Sequence, residues 1–369
     1  MYVLVMSYGY PTTEYPVNGI FQFDQAKALA QEGCKVVMAC IDLRSIRRKR
    51  KWGYERFERD GVTIACVNIP IGPFPRICNF IGKVTFPWIL KKICKEFGIP
   101  QIVHAHFSVT AYAATATRLP CPFVVTEHSS SIVQEPIDPL AKKMAAASYS
   151  KADQVLSVSV SLGNQIQSKF HVTPIVVPNI VDVTRFHYKE HETLERWISV
   201  GSLIHRKAMD VTIHAFAEYL NSFSNACLTI VGDGPERSAL QTLTAKLGLT
   251  EKVFLVGRCD RSKIGELMVN SDYFVLASRA ETFGVVYTEA LVSGLPVVGT
   301  QCCGPSDFID KTNGILVPVD DVNALKDAMI KVSQNKYNRA EISRQAVERF
   351  SPKAISTSLV EIYKNLLTD

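Results

Sequence analysis

Ser278-Arg-Ala-Glu281-Thr-Phe-Gly284-Val-Val-Tyr-Thr-Glu289-Ala-Leu-Val-Ser-Gly294-Leu-Pro296 is the stretch on which the fold reading turns. The apolar run Tyr273-Phe-Val-Leu-Ala277 leads into it with the composition of a strand. Gly284 then opens a helical pattern over residues 284–293, Gly294 closes it, and Pro296-Val-Val298 restarts a strand. Strand, loop, helix and strand in immediate succession is the repeating unit of a parallel α/β sheet. In doubly wound sheets ligands bind at the loops that leave the carboxyl ends of the strands, so residues 278–284 are the first place to look for function.

The same alternation extends on both sides. In this half the pattern predicts strands at 197–200, 227–231 and 253–256, and helices at 209–220, 235–247 and 262–270. Pro235 suits a first helical turn and Gly248 a helix end. The first half predicts strands at 3–6, 35–39, 63–67, 102–104, 123–126, 154–158 and 174–177 with helices between them. The first of those helices is marked by Ile20, Phe23, Ala26 and Ala30 and closed by Gly33. Residues 184–196 lose periodicity and carry charges of both signs, so they are expected to link a domain over 1–183 to one over 197–350. The last helix, over 351–369, carries a continuous stripe of Ile355, Leu359, Ile362 and Leu366 that must bury against something.

Composition narrows the class. The chain has 369 residues, 47% hydrophobic and 21% charged, which excludes a disordered chain and suits two ordinary folded domains. Its apolar runs are strand-length and far short of a membrane span. The N-terminal Met-Tyr-Val-Leu-Val-Met lacks the pattern of a signal peptide, so the expected compartment is the cytoplasm. The ten cysteines form no Cys-x-x-Cys pair and lie mostly in apolar runs, such as Cys40, Cys66 and Cys227, as buried thiols do; Cys302-Cys303 is a vicinal pair. The net charge of +6 is unevenly spread: residues 1–180 carry 20 basic and 12 acidic side chains, the remainder 21 and 23. A basic first half points to an anionic partner, either a lipid surface or nucleic acid, and no nucleic-acid motif accompanies it.

Several groups are candidates for chemistry. Free amide groups and the positive dipole end at the helix opened by Gly284 suit a diphosphate. Glu281 precedes that helix and Glu289 lies inside it; either they meet a ligand's hydroxyls, or Glu281 caps the helix and Glu289 is solvated. In Val200-Gly201-Ser202-Leu-Ile-His-Arg206-Lys207-Ala-Met-Asp210, Arg206 and Lys207 sit between strand and helix, placed either to neutralise phosphates or as a solvated basic pair. Val231-Gly-Asp-Gly234-Pro235 lacks the third glycine of a dinucleotide fingerprint and reads as a strand-to-helix turn. In the first half, Asn18-Gly19 after the first strand permits close backbone approach to a ligand, or is a plain turn. His104-Ala-His106 and His128 end two strands, and with no third ligand evident the His-x-His pair is read as structural rather than metal-binding.

Two glutamates separated by seven residues and followed by Ala-Leu and Ser-Gly-Leu-Pro-Val-Val resemble the signature of glycosyltransferase family 4, retaining enzymes of the GT-B fold. The likeness runs on through the Gly201 to Lys207 motif, Val231-Gly-Asp-Gly-Pro235, Val256-Gly257, Gly304-Pro305 and Asn313-Gly314-Ile-Leu-Val. It implies an α/β, GT-B architecture: two facing Rossmann-like doubly wound domains, with the 351–369 helix crossing back to the first. It also implies a retaining hexosyl- or N-acetylhexosaminyl-transferase that uses a nucleoside diphosphate sugar, probed first as UDP-linked, with no metal and no cofactor. By the same resemblance Lys207 and Arg206 meet the donor phosphates, Glu281 and His128 the donor sugar, and Glu289 the ribose. Gly19, Gly201, Phe283, Gly284 and Val285 complete the donor site. The family often has arginine where this chain has Ser202 and glycine where it has Ala208.

Six basic residues lie within 44–51, followed by Arg56 and Arg59, and residues 72–98 interleave Phe74, Phe80, Phe86, Trp88 and Phe97 with Arg76, Lys83, Lys91, Lys92 and Lys95. Such a mixture suits an anionic membrane surface or a polyprenyl-diphosphate-linked saccharide acceptor, as in bacterial capsule and exopolysaccharide synthesis; the alternative is an ordinary helix with one face in the core. The remaining rivals are a small soluble acceptor, a catalytically silent nucleotide-binding module docked on a membrane, and an NAD-dependent oxidoreductase, which the broken glycine pattern disfavours.

Overall fold

The computed structural model describes residues 1–43, 51–71 and 74–368 and divides into two compact units, the first comprising Met1–Ile180 with the C-terminal stretch from Pro352, the second Val181–Ser351. The basic residues Arg47, Arg48, Lys49 and Arg50, with Arg44, lie outside the described residues.

The first unit is built on an eight-stranded sheet: β1 (Tyr2–Ser7), β2 (Lys35–Asp42), β3 (Gly53–Arg59), β4 (Val62–Asn68), β5 (Ile102–His106), β6 (Phe123–Glu127), β7 (Gln154–Ser157) and β8 (Ile175–Val176), in the order β3-β4-β2-β1-β5-β6-β7-β8. All neighbours are parallel except β3, which pairs antiparallel with β4. β1 is buried at every position because helices cover both faces of a parallel sheet. Those helices are α1 (Ile20–Gln31), α2 (Pro75–Phe97), α3 (Ser108–Ala114), α4 (Pro139–Lys151) and α5 (Val160–Phe170). The pattern of apolar residues did not predict β3, an edge strand whose side chains are all exposed or half-buried. Arg56 and Arg59 lie on it: Arg56 is ion-paired with Glu96, and Arg59 donates to the Pro11 carbonyl at 2.8 Å, so neither belongs to a free basic run.

The second unit carries β9 (Arg196–Val200), β10 (Cys227–Val231), β11 (Val253–Gly257), β12 (Tyr273–Leu276), β13 (Val297–Thr300) and β14 (Gly314–Val317), all parallel in the order β11-β10-β9-β12-β13-β14. Its helices are α6 (Met209–Tyr219), α7 (Arg237–Lys246), α8 (Arg261–Val269), α9 (Val285–Val292), α10 (Val322–Gln334) and α11 (Arg339–Phe350). The chain runs outward from β9 to β11 and then crosses to β12 on the other side of β9. The loops after β9 and β12 therefore leave in opposite directions and open a crevice at that point, the usual ligand position in this topology.

One boundary differs from the sequence expectation. Residues 184–196 are part of the second unit: Phe186 is fully buried, and buried Asp272 accepts the Leu194 and Arg196 backbone N–H groups at 3.1 and 2.8 Å and pairs with the Arg196 and Arg339 guanidinium groups. A mixed-charge stretch reads as solvated linker in one dimension, whereas here its charges converge on one carboxylate 76 residues away. The last helix, α12 (Pro352–Thr368), belongs to the first unit, as the family resemblance implies: it buries Ile355, Leu359 and Tyr363 in the core that also holds Phe23, Ala26 and Leu29 of α1. Cys227 is half-buried and Cys303 exposed, while Cys34, Cys40, Cys66 and Cys302 are buried.

Candidate functional site

The loops after β9 and β12 meet through side chains from both. After β9 the chain passes Gly201, forms a short 3-10 turn over His205–Lys207 and enters α6 through Ala208, which holds the left-handed conformation with φ 47° and ψ 46°. The glycine turn after β10 supports this loop from below: a Cβ on Gly232 would lie 1.8 Å from the Gly201 carbonyl oxygen and one on Gly234 2.3 Å from that of Leu203. Both glycines therefore serve backbone-to-backbone packing. The bonds Gly201 N–H to Val231 O and Leu203 N–H to Asp233 O, both 3.0 Å, complete the support.

The loop after β12 adds a clamp. Arg279 donates its backbone N–H to the Arg206 carbonyl at 2.8 Å, its guanidinium to the His205 carbonyl, and its Nε to Asp320 at 2.7 Å. Lys207 Nζ, largely buried, donates to Glu281 Oε1, which also accepts from Ser278 Oγ at 2.8 Å. The Glu281 backbone is fixed in turn by Cys302 and Gly304. Among the described residues no carboxylate pairs with Arg206, so its cation is available to an anion.

Gly284, at φ 85°, begins α9, and a Cβ there would lie 2.7 Å from the Tyr287 ring. Tyr287 is buried, and its hydroxyl donates to the Leu276 carbonyl at 2.7 Å, pinning α9 to β12. The first N–H groups of the helix, at Val285 and Val286, have no acceptor within it. Glu289 is buried one turn on and pairs with Arg261 Nη2 at 3.4 Å. The Phe283 ring packs against Phe308 and Phe350 in the core, so only its backbone is open to a ligand. Two cations, two carboxylates and a free helix start thus gather at one strand crossover, an arrangement that can hold an anion and several hydroxyls together.

Comparison with known proteins decides which family owns this arrangement. Residues 21–185 match Glycosyltransferase Family 4 and residues 181–349 match Glycosyl transferases group 1. The chain belongs to the GT-B glycosyltransferases. Among its curated relatives is the N-acetyl-alpha-D-glucosaminyl L-malate synthase of Bacillus anthracis, 27% identical over 73% of this chain and 76% of the relative. Another is Bacillus subtilis TuaC, assigned to teichuronic acid biosynthesis, 25% identical over 94% and 93%. The fold is shared with sucrose-phosphate synthase from Thermosynechococcus elongatus (TM-score 0.82, 19% identity, 100% and 99% covered). It is shared also with Anabaena HepE in complex with UDP (TM-score 0.74, 16% identity, 99% of both chains).

The first unit of this glycosyltransferase holds the other expected residues. Gly19 caps α1 with φ 65°, and a Cβ would fall 2.1 Å from the Gly9 carbonyl oxygen, so the loop after β1 lies directly on the helix start. His128 follows β6 and is buried; its Nε2 is 3.0 Å from His106 Nδ1 and its ring packs on Phe107. Burial drives the imidazoles of His104 and His128 down to about 3 and His106 well below its usual range, so all three are neutral at pH 7. His104 uses both ring nitrogens, on Tyr363 at 2.6 Å and Thr126 at 2.7 Å, which accounts for it structurally.

Sequence reasoning missed Glu127. Fully buried, it accepts N–H bonds from Ser108, His128 and Ser129 and the Tyr149 hydroxyl, all between 2.7 and 3.1 Å, and so fixes the loop that carries His128. The only signal was an acidic residue ending an apolar strand. Arg279 and Arg261 were missed for a different reason, since their partners are distant in sequence.

Proposed function

We propose that this glycosyltransferase moves a hexosyl or N-acetylhexosaminyl group, with retention at the anomeric carbon, from a UDP-sugar to a hydroxyl of a lipid-linked saccharide in surface polysaccharide synthesis. The observation that carries the donor half is the convergence of Lys207 and Glu281, from loops after β9 and β12, at the strand crossover. The UDP complex of the structurally similar Anabaena protein supports the choice of nucleotide, and the teichuronic acid assignment of TuaC supports the polymeric acceptor.

In this reading Lys207 leaves Glu281 for the donor diphosphate, and Arg206 and the Val285 and Val286 N–H groups share the charge. Glu289 takes the ribose hydroxyls, Glu281 and His128 the donor sugar, while Gly19 and Gly201 let backbone approach it closely. The acceptor hydroxyl attacks the anomeric carbon from the face the diphosphate leaves, and its proton passes to a departing phosphate oxygen. The new bond is carbon to acceptor oxygen, and the broken one carbon to phosphate oxygen. Preorganised cations and amides stabilise the growing charge on the diphosphate, so no metal is needed.

Thermal shift with a panel of nucleotide sugars, followed by NMR of the transferred product in the presence of EDTA, tests this reading. A native-state ligand at 100 times its Kd adds about 2.7 kcal/mol, so UDP and one UDP-sugar should raise Tm, and the product should keep the donor's anomeric configuration. An inverted product, or activity that needs added manganese, overturns the mechanism. A second reading, a small soluble acceptor, is favoured by the malate in the name of the Bacillus anthracis relative; transfer to malate-like acceptors in the same assay would select it.

A further inference from the structure

Helix α2 has two apolar faces. Gly82, Phe86, Ile89, Leu90 and Ile93 are buried beneath it, yet Ile77, Phe80, Val84 and Trp88 stand on the opposite side in an unbroken stripe at helical spacing, with Phe80 69% and Trp88 50% exposed. An amphipathic helix serving only its own core would be polar there. Along the helix the same stripe continues as Lys91 and Lys95, both exposed, with Arg76 at the other end. The sole acidic residue of α2, Glu96, is ion-paired with Arg56 and lies off the stripe. Lys92 extends over the Tyr54 ring at 3.8 Å and lies 5.5 Å from the Trp88 ring, keeping its ammonium beside the apolar row.

Apolar and aromatic side chains in one row, bordered by cations and free of anions, match the interface of an anionic bilayer. There rings enter the acyl boundary while lysines stay among the headgroups. We infer that the exposed face of α2 docks this enzyme on an anionic lipid surface. No helix among the described residues is long and apolar enough to cross a membrane, so attachment by α2 would be peripheral. The inference rests on the lipid-linked acceptor proposed above and deepens it. On its other side α2 lends Cys78, Asn79 and Gly82 to a cavity shared with Asp42, Val109 and Tyr112, so docking would hold that cavity about one helix diameter, roughly 10 Å, from the headgroups.

The test is co-sedimentation of the full chain with phosphatidylglycerol or phosphatidylcholine vesicles, with Tm and UDP affinity measured alongside. The wild type should bind phosphatidylglycerol vesicles at low salt, and high salt should weaken binding strongly. The double variant Phe80→Ser/Trp88→Ser and the double variant Lys91→Gln/Lys95→Gln should each lose at least tenfold in vesicle binding, since one interfacial lysine is worth roughly fivefold. UDP affinity should stay unchanged and Tm should fall only slightly, because Phe80, Lys91 and Lys95 are exposed and Trp88, half-exposed, packs edge-on against the Tyr54 ring outside the buried core. A wild type indifferent to anionic vesicles, or undiminished binding by both double variants, overturns the inference. So does a dimer in solution that Phe80→Ser/Trp88→Ser dissolves without any vesicle binding by the wild type, since a second copy then covers the face. Vesicle binding by an enzyme that transfers only to soluble acceptors would support docking and sink the lipid-linked acceptor, so the two can fail separately.

Discussion

Lys207 and Glu281, 74 residues apart, form a largely buried ion pair in which the ammonium donates to a carboxylate oxygen already bonded to Ser278. The cation proposed for the donor diphosphate is thereby held in place and neutralised until an anion competes for it. Substituting either partner separates binding from turnover. Lys207→Ala should lower UDP affinity about tenfold or more and transfer by on the order of 10², as when one preorganised charge is removed. Glu281→Gln should leave UDP affinity equal or higher, because Lys207 is then unneutralised, while transfer falls. Calorimetric UDP binding and steady-state rates check both, and Lys207→Ala with wild-type UDP affinity would refute the assignment.

Arg279 touches no proposed ligand atom but braces the His205–Lys207 turn through two of its carbonyls. Arg279→Ala should therefore reduce transfer roughly tenfold, equivalent to about 1.4 kcal/mol, with a matching loss of UDP affinity. Arg279→Lys should recover part of it. If UDP affinity is untouched while only Tm falls, the residue stabilises the loop without positioning Lys207.

Ala208 occupies a left-handed conformation, which explains why glycine is frequent there in the family pattern. An alanine in this region is disfavoured by roughly 1 kcal/mol, and the unfolded-state entropy of glycine offsets most of the relief. Ala208→Gly should be within about 1 kcal/mol of wild type in urea unfolding. Ala208→Val, β-branched at positive φ in a buried position, should lose about 2 kcal/mol or more. Equal stability of the two variants would contradict the geometry.

His104, His106 and His128 are neutral when folded because burial lowers their affinity for protons, whereas in the unfolded chain they titrate near 6.5. The unfolded state thus binds more protons below that pH, so their contribution is complete above 6.5 and is lost as pH falls from there toward 3. Between pH 7 and 5 the loss should be about 1 to 2 kcal/mol for each histidine. Urea midpoints at the two pH values measure it, and His106→Asn should flatten the slope. A flat profile in the wild type would mean that the histidines are solvated.

Much of the fold was legible because its signals are local. The run Tyr273-Phe-Val-Leu-Ala277 and the glycines at 284 and 294 bracket β12, its loop and α9 to within a residue or two. Hairpin β3–β4 escaped notice although Asp60-Gly61 marks it: both residues have positive φ, as a two-residue hairpin turn requires, but the alternating aromatic and charged residues of β3 mimic a solvated segment. The candidate site residues Lys207, Arg206, Glu281 and Glu289 stood out by motif. Glu127, Arg261 and Arg279 did not, because their value lies in partners that no spacing rule brings near.

By itself the sequence determined the alternation of strand and helix, the glycine turns at the strand ends and the candidate cations and carboxylates. Each of these follows from side-chain periodicity or backbone freedom within about a dozen residues. Tertiary structure alone decided that Lys207 meets Glu281, that residues 184–196 join the second unit through Asp272, and that Tyr363 of α12 meets His104. These outcomes depend on strand order and burial. The order β9 beside β12, skipping β10 and β11, brings distant loops together only once the sheet has formed, and an apolar stripe or a lone charge specifies that it needs a partner without naming which.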